Sequence, residues 1–285
     1  MKYGVIDVGS NSVRLMISDG KNTIYKKVIT TRLAEGMGEG VLQPVAIDRT
    51  ASAVSFFVEQ AKEECVDEIY AYATAAVRQS KNGNVFIDKV KDLCGIDVEI
   101  VSGETEAELG VKGALSGFDG GVIDVGGAST EVIVVKDGKI KYSKSLNVGA
   151  VKIKDACGQD FDKVKEYIDN KIVEYGSIPN AEFYGIGGTA TTIAAIILQL
   201  EPYDPNKVDG FKVGIEQLER LTERLFSLSV EERKKLKGLQ PARAEVIAGG
   251  AALMLSVMKK IGIEHITVSE KDNLEGYLLT KTEKI

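Results

Sequence analysis

The most constraining feature of this chain is a hexapeptide, Gly-Val-Ile-Asp-Val-Gly, that occurs twice, at residues 4–9 and 121–126. Each copy is followed by a short turn rich in hydroxyl groups and then by a second apolar stretch, at residues 13–18 and 131–135. This pattern predicts a buried strand, a glycine-containing turn and a returning strand. Two such hairpins predict two similar domains.

Each repeat places an aspartate, Asp7 or Asp124, near the end of its first strand. The glycines of such a turn let backbone N–H groups approach an anion, while the carboxylate can hold a hard cation that the anion also needs. The alternative is an ordinary hairpin turn in which the aspartate caps its own backbone. That alternative suffices for one copy, but it does not require a buried strand to end in aspartate twice. The repeat therefore predicts a phosphate and metal site, with Asp7 and Asp124 facing each other across a cleft.

The overall composition is that of a soluble globular protein, since 44% of the 285 residues are hydrophobic and 27% are charged. No apolar stretch reaches the roughly 18 residues of a membrane span, and the N-terminus does not resemble a secretory signal, so a cytoplasmic protein is expected. A net charge of −6 argues against a nucleic-acid partner held by bulk attraction. A polyanionic substrate would need a local cluster of cations, for which Arg14, Arg32 and Arg78 are candidates.

The scarcity of histidine and cysteine limits the chemistry that the chain can perform. The chain has a single histidine, His265, so it cannot form a histidine-rich metal site, and a Ser-His-Asp triad is not expected. His265 is predicted to be structural. The cysteines Cys65, Cys94 and Cys157 are far apart and are predicted to be reduced thiols in the core. A metal would have to be held by oxygen ligands, which indicates Mg²⁺, with Mn²⁺ or Ca²⁺ as less favoured alternatives.

Alternating apolar patterns predict an α/β protein with a domain boundary near residues 116–120. In the first half, the elements predicted after the hairpin are a helix at 44–65, strands at 69–73 and 96–101 and a helix at 104–115. In the second half, they are strands at 139–146 and 183–186, helices at 190–200, 215–226, 230–236 and 242–260, a strand at 266–268 and a last helix from about residue 273.

Four loops that follow predicted strands carry polar residues, and ligands of an open α/β sheet bind just beyond the carboxyl ends of its strands. These loops are residues 7–12, which precede Arg14, and residues 73–78, 124–131 and 185–190. The last opens a helix whose first N–H groups favour phosphate, although alone it is also compatible with a tight turn. A fifth segment, residues 102–107, has acidic residues that simply suit a helix N-terminus, but hydrolysis also needs a base.

The segments 7–12, 73–78, 102–107 and 124–131, in this order and spacing, resemble the exopolyphosphatase and guanosine pentaphosphate phosphohydrolase family, within the actin-like, sugar-kinase and heat-shock ATPase superfamily. The resemblance extends over nearly the whole chain. It implies an α/β fold of two actin-like ATPase (ribonuclease H-like) domains flanking an interdomain cleft. The implied domains are residues 1–118, completed by a C-terminal helix at 273–285, and residues 119–272.

The resemblance also implies roles for individual residues. Glu106 is the expected base that activates the attacking water, and Arg78 is the expected phosphate clamp. Asp7, Asp124 and Glu131 are expected to hold Mg²⁺ or to position that water, and Glu131 is therefore also counted as catalytic. The expected phosphate-binding residues are Gly9, Ser10, Asn11, Ser12, Arg14, Arg32, Gly126, Gly127, Ala128, Ser129, Gly187, Gly188 and Thr189.

Three residues depart from the family pattern. Ala128 stands where a third glycine is usual, Thr105 where a glutamate is common, and Leu274 where an arginine is common. The first two leave the essential groups in place, whereas the third bears on substrate or domain-closure contacts. The chain also lacks the helical extension of the family's long members, which bears on processivity with long polymers.

The sequence therefore predicts a Mg²⁺-dependent phosphohydrolase, with Mn²⁺ as the alternative ion. It would release the terminal phosphate of inorganic polyphosphate or guanosine pentaphosphate by direct attack of water. The alternatives are a kinase of the same superfamily and a polyphosphate or alarmone sensor that does not hydrolyse its ligand. The expected partners are these polyanions and a second copy of the chain in a homodimer, with no nucleic acid and no membrane.

Overall fold

The structure of the chain, a computed structural model, describes residues 1–282. The last three residues of the helix predicted at 273–285 lie outside the described residues. The chain divides into two compact units, of which unit 1 comprises residues 1–113 with the C-terminal helix from Asn273, and unit 2 comprises residues 114–272. Each unit is a β-sheet with packed helices, so the predicted α/β class is confirmed.

Unit 1 contains a five-stranded sheet with the order β3-β2-β1-β4-β5. Its strands are β1 (Tyr3–Val8), β2 (Ser12–Ser18), β3 (Thr23–Thr30), β4 (Glu68–Ala73) and β5 (Val98–Ile100). The first three form an antiparallel meander, while β4 runs parallel to β1 and β5 parallel to β4. Its helices α1 to α4 are Pro44–Glu63, Ala75–Gln79, Gly83–Cys94 and Gly103–Leu115.

Both faces of the unit 1 sheet are covered by helices. Ile6 belongs to one apolar core with Phe57 of α1, and Val5 belongs to another with Leu109 of α4. Because successive side chains of a strand point to opposite faces, a strand covered on both sides must be apolar at nearly every position. This explains the continuous apolar run of the first hexapeptide, in which Asp7 is a buried polar residue.

Unit 2 contains a six-stranded sheet with the order β10-β11-β9-β6-β7-β8. Its strands are β6 (Gly120–Val125), β7 (Thr130–Lys136), β8 (Lys139–Leu146), β9 (Phe183–Ile186), β10 (Lys212–Gly214) and β11 (His265–Val268). Its helices α5 to α11 are Ala150–Cys157, Phe161–Ile172, Gly187–Ile197, Pro205–Val208, Ile215–Ser227, Val230–Arg233 and Ile247–Ile261.

The two hexapeptides form β1 and β6, each of which opens an antiparallel meander and pairs on its other side with a parallel strand. The two hairpins predicted from the repeat are confirmed.

The last described element, α12 (Asn273–Thr282), packs within unit 1. It passes very close to α4, since a Cβ added at Gly276 would lie 1.8 Å from the carbonyl oxygen of Leu109. Leu274 is fully buried in the same core as Tyr277. Leu274, which stands where the family commonly has an arginine, is therefore an apolar core residue of unit 1.

Several predicted elements differ from the structure at their ends. The helix predicted from residue 190 begins at Gly187, because its first turn includes the glycines. The helix predicted from residue 242 begins at Ile247, since Pro241–Arg243 form a separate short 3-10 helix. The helix predicted at 230–236 ends at Arg233. Strand β3 was not predicted, because this edge strand is largely exposed and lacks an apolar run.

The prediction that the three cysteines lie in the core is wrong. Cys65 is exposed just beyond α1, and Cys94 and Cys157 are only partly buried, although all three are free thiols. His265 is exposed at the start of β11. Among the described residues, none of the helices combines the length and apolar character that a membrane crossing requires.

Candidate active site

The turns that follow the two hexapeptides have the same backbone geometry. The N–H of Gly9 donates to the carbonyl of Ser12 over 3.0 Å, and the N–H of Gly126 donates to the carbonyl of Ser129 over 2.9 Å. Each bond closes a tight loop in which glycine lets the chain reverse between antiparallel strands. The sequence repeat is therefore also a repeat of turn structure.

The second turn is supported by the start of α5. The carbonyl of Gly126 accepts from the N–H of Ala150, and the carbonyl of Gly127 accepts from Val151 and Lys152. The approach requires Gly149, because a Cβ added there would lie 2.5 Å from the Gly127 carbonyl. The first N–H groups of α5 are thus used to hold the turn by its carbonyl oxygens.

The turn's own N–H groups remain available. Within residues 1–282, the N–H groups of Gly127, Ala128 and Ser129 donate to no protein acceptor. Three successive free N–H groups in a turn form a concavity that attracts an anion. Ala128 contributes its N–H as a glycine would, so the departure from the family pattern at this position keeps the donor.

The first turn is supported in the same way by residues 31–34. The carbonyl of Asn11 accepts from Thr31 and Arg32, and the carbonyl of Ser10 accepts from Ala34. Within the part of the chain that the structure describes, the N–H groups of Ser10 and Asn11 have no protein acceptor. Both turns therefore present N–H groups for an anion.

Arg32 lies beside this first turn, where its backbone N–H donates to the Asn11 carbonyl. Its guanidinium is 67% exposed and lies 3.8 Å from Glu35. Its backbone has a φ of 48°, a left-handed conformation that is unfavourable for a non-glycine residue. Arg49 stabilises this conformation by donating to the carbonyls of Thr31 and Arg32.

The hairpin of unit 1 pairs Asp7 with Arg14. The two residues are opposite each other in the β1–β2 register, and Oδ2 of Asp7 accepts from Nε and Nη2 of Arg14 at 2.9 and 2.5 Å. The structure therefore brings a predicted metal ligand and a predicted phosphate-binding residue together as an ion pair. Arg14 neutralises the buried Asp7 carboxylate from the adjacent strand.

The hairpin of unit 2 has two carboxylates at the equivalent positions. Asp124 is opposite Glu131 in the β6–β7 register, and Oε1 of Glu131 accepts from the Ser145 hydroxyl over 2.5 Å. Asp124 lies against Gly187, where an added Cβ would be 2.5 Å from Oδ1 of Asp124. Two carboxylates directly across a strand pair repel each other. The hairpin of unit 2 thus has two negative side chains where the hairpin of unit 1 has an ion pair.

No group of three or more His, Cys, Asp or Glu residues suited to a metal occurs among residues 1–282.

The predicted base and the predicted phosphate clamp form a second ion pair in unit 1. Nη1 of Arg78, at the end of α2, donates to Oε2 of Glu106 over 3.0 Å and to the Val101 carbonyl over 2.8 Å. Glu106 lies in the first turn of α4, where the Ser102 hydroxyl accepts from the Thr105 N–H and shares a hydrogen bond with the Thr105 hydroxyl, both over 2.9 Å. The hydroxyl of Thr105, the second departure from the family pattern, therefore adds a bond to the turn that carries Glu106.

The start of α7 carries the remaining predicted residues. The Thr189 side chain is buried and its hydroxyl donates to the Val125 carbonyl over 2.7 Å, so this hydroxyl braces the end of β6. The N–H groups of Gly187, Gly188 and Thr189 lie in the first turn of the helix. At that position they contribute to the positive end of the helix dipole.

The sequence analysis missed Arg243. The structure places its guanidinium against Gly188, where an added Cβ would lie 2.1 Å from Nη1. Within residues 1–282 Arg243 forms no ion pair and no side-chain hydrogen bond. A positive side chain at the positive end of α7 is unfavourable unless an anion binds there. The available signal, one arginine after Pro241 in a segment that resembles the start of a helix, was too weak to identify it.

Comparison with solved structures defines the class of the fold. The chain matches the crystal structure of the type II variant of the Aquifex aeolicus Ppx/GppA phosphatase with a TM-score of 0.90 and 29% sequence identity, covering 99% of each chain. The two units therefore have the actin-like ATPase fold that the sequence resemblance implied. The chain belongs to the Ppx/GppA phosphatase family, whose sequence pattern it matches over residues 15–285.

Two relatives differ in how much of their length this chain covers. Exopolyphosphatase 2 of Mycobacterium tuberculosis is 28% identical over an alignment of 313 residues, which covers 98% of each protein. The bifunctional 3-dehydroquinate synthase/phosphatase of Fusobacterium nucleatum is 30% identical over 309 residues, which cover 98% of this chain and 46% of the relative. The chain thus spans less than half of the second relative and nearly all of the first.

Proposed function

We propose that the protein is a metal-dependent phosphohydrolase that releases the terminal phosphate of inorganic polyphosphate or guanosine pentaphosphate by direct attack of water. The observation that carries the proposal is the second turn, which has available N–H groups at residues 127–129 beside the carboxylates of Asp124 and Glu131. N–H groups bind the oxygens of a phosphate, and carboxylates bind the cation that accompanies it. Membership of a phosphatase family supports the same activity.

Mg²⁺ is the proposed ion, with Mn²⁺ as the alternative, and Asp124 and Glu131 are its proposed protein ligands. When bound, such an ion supplies positive charge that offsets the negative charge of the phosphoryl group. Asp7 is a weaker candidate ligand, because Arg14 binds its carboxylate. The proposed role of Arg14 is accordingly to neutralise Asp7.

Glu106 is the proposed general base. Arg78 holds Oε2 of its carboxylate, while Oε1 receives no hydrogen bond from the described residues. Oε1 can therefore accept a proton from the attacking water. Arg78 fixes the direction of the carboxylate, and its Nη2 and Nε remain for substrate phosphate, since a guanidinium has five N–H donors.

The N–H groups of both turns and of the α7 start are proposed to bind phosphate oxygens, with Arg243 as an additional cation. Within each unit, backbone hydrogen bonds hold the turn that carries these groups, and donors held in place in advance stabilise developing charge without local reorganisation. Arg32, exposed beside the first turn, is proposed to contact a more distant part of the polyanion.

Inorganic polyphosphate is the favoured substrate. The relative named exopolyphosphatase 2 aligns with this chain over nearly the full length of both proteins, which supports polyphosphate as the substrate of this chain. Guanosine pentaphosphate remains the alternative, because a relative from Photobacterium profundum is named guanosine-5'-triphosphate,3'-diphosphate pyrophosphatase. The cytoplasmic location, the homodimer and the absence of nucleic-acid and membrane partners remain predictions from the sequence.

The test is phosphate release from long-chain polyphosphate, short-chain polyphosphate and guanosine pentaphosphate, each with Mg²⁺, with Mn²⁺ and with a chelator. Glu106→Gln is the matched control, because it keeps the shape of the side chain and removes its basicity. We expect metal-dependent release that falls about 10²- to 10⁴-fold in this variant, while binding of tripolyphosphate persists.

Other outcomes identify the competing functions. A kinase would transfer the phosphoryl group to an added acceptor, and a sensor would bind tripolyphosphate without releasing phosphate. Full activity of Glu106→Gln would show that another group activates the water.

A further inference from the structure

Arg233 is a buried arginine without a carboxylate partner. It is 1% exposed, and within residues 1–282 it forms no ion pair. Its Nε donates to the Leu225 carbonyl over 2.6 Å, and its Nη1 donates to the side-chain oxygen of Gln159 and, over 3.4 Å, to the Ala244 carbonyl. Its guanidinium also lies 5.9 Å from the centre of the Phe226 ring, but burial of a charge without an opposite charge is costly. An apolar side chain would fill this space at lower cost, so Arg233 is expected to have a role besides packing.

The hydrogen bonds of Arg233 converge on the segment that follows Arg243. Arg233 holds the carbonyl of Ala244, and Nε2 of Gln159 donates to the carbonyl of Glu245 over 3.0 Å. Because Gln159 also accepts from Arg233, the two side chains form one connected network. This network fixes two successive carbonyls directly after Arg243.

Backbone turn bonds hold this segment by its N–H groups, since Ala244 donates to the Pro241 carbonyl and Val246 to the Arg243 carbonyl, whereas the side-chain network holds it by the Ala244 and Glu245 carbonyls. The short 3-10 helix ends at Arg243, and α11 begins only at Ile247. The position of the Arg243 guanidinium against Gly188 is therefore set by what holds the intervening backbone. A small displacement of a binding group can greatly reduce its contribution.

We propose that Arg233 is a positioning residue which, together with Gln159, holds residues 243–245 so that Arg243 remains at the start of α7 and binds substrate phosphate. This inference rests on the proposed function, in which Arg243 is a phosphate-binding cation. Arg233 itself is buried and does not touch substrate. Its effect is expected in phosphate affinity rather than in the chemical step.

The test compares the binding of tripolyphosphate with Mg²⁺, measured by titration calorimetry, in single and double variants. We expect Arg243→Met and Arg233→Met each to raise Kd by about tenfold or more, since a charge-assisted hydrogen bond to phosphate is lost in both. The double variant should bind no more weakly than Arg243→Met, because residues that act through one group are not additive. In steady-state assays KM should rise while kcat changes little.

Lys154→Ala is the matched control. Lys154 also reaches Glu245, but through the exposed carboxylate at 3.5 Å, so its loss leaves the backbone network intact and Kd unchanged. If Arg233→Met does not fold, Gln159→Leu removes the bond to the Glu245 carbonyl and serves the same comparison. A normal Kd in the folded variant, or an additive loss in the double variant, would overturn the inference.

The design separates this inference from the proposed function. Wild-type protein that binds tripolyphosphate but releases no phosphate would contradict the hydrolase, while the affinities of the variants would still decide the role of Arg233. Wild-type protein that does not bind tripolyphosphate would overturn both.

Discussion

Replacement of Glu131 by glutamine should raise the stability of the metal-free protein and abolish the rise in Tm that Mg²⁺ causes. Asp124 and Glu131 are opposite each other on adjacent strands, where side chains lie about 5 Å apart. Two like charges at about that distance repel by about 1 kcal/mol in water and about 3 kcal/mol at an effective dielectric constant of about 20. Both residues are half-buried, so Glu131→Gln should gain about 1 to 2 kcal/mol. Glutamine also keeps an oxygen for the Ser145 hydroxyl.

The assay is thermal unfolding in a chelator and in increasing Mg²⁺. A gain of about 1 to 2 kcal/mol corresponds to a rise in Tm of about 2 to 8 °C for a unit of about 150 to 250 residues. The wild-type Tm should rise with Mg²⁺, by about 2.7 kcal/mol of stability at a concentration about a hundred times Kd. The variant should have a higher Tm than wild type in chelator, and its Tm should change little with Mg²⁺, because one of the two proposed metal ligands is gone.

Arg14→Gln is the matched control at the equivalent position of unit 1. It leaves the buried Asp7 carboxylate without its cross-strand cation, so it should lower stability by about 1 to 3 kcal/mol and keep the response to Mg²⁺. The reasoning is refuted if Glu131→Gln is no more stable than wild type in chelator and its Tm still rises normally with Mg²⁺. That result would remove Asp124 and Glu131 as the cation site.

Two glycine substitutions test the backbone around the same site. Gly187→Ala should lose about 1 kcal/mol or more of stability, because Gly187 has a φ of 74° that disfavours other residues. It should also displace Asp124 and lower metal-dependent phosphate release at least about tenfold. Thermal unfolding measures the loss of stability, and phosphate release measures the loss of activity. Gly149→Ala should raise KM by about tenfold with unchanged circular dichroism, because its Cβ would press on the carbonyl of Gly127. Normal KM in that variant would show that the turn tolerates movement.

The sequence predicted the hairpins well because two independent signals coincide there. Continuous apolar runs identify strands covered on both faces, and the glycines identify the turns between them. β3 lacked the first signal, since as an edge strand it is mostly exposed. The ends of α7 and α11 were misplaced because glycine and proline near a helix start are weak guides to its first residue.

The pairing inside each hairpin was predictable but was not predicted. Asp7 and Arg14, like Asp124 and Glu131, are each seven residues apart around turns of equal length, and turn length sets the register of a hairpin. The contact of Arg243 with Gly188 could not be inferred in this way. It joins residues far apart in sequence, and the bonds that hold the Arg243 segment come from Gln159 and Arg233.

The two hairpins show how one position can change the role of a repeated structure. Both have the same turn, the same register and an aspartate at the same place. In unit 1 the opposite residue is Arg14, which neutralises the aspartate within the protein. In unit 2 it is Glu131, which adds a second negative charge at the equivalent place. The difference between Arg14 and Glu131 therefore supports the proposal that the metal binds in unit 2, although the hexapeptides themselves are identical.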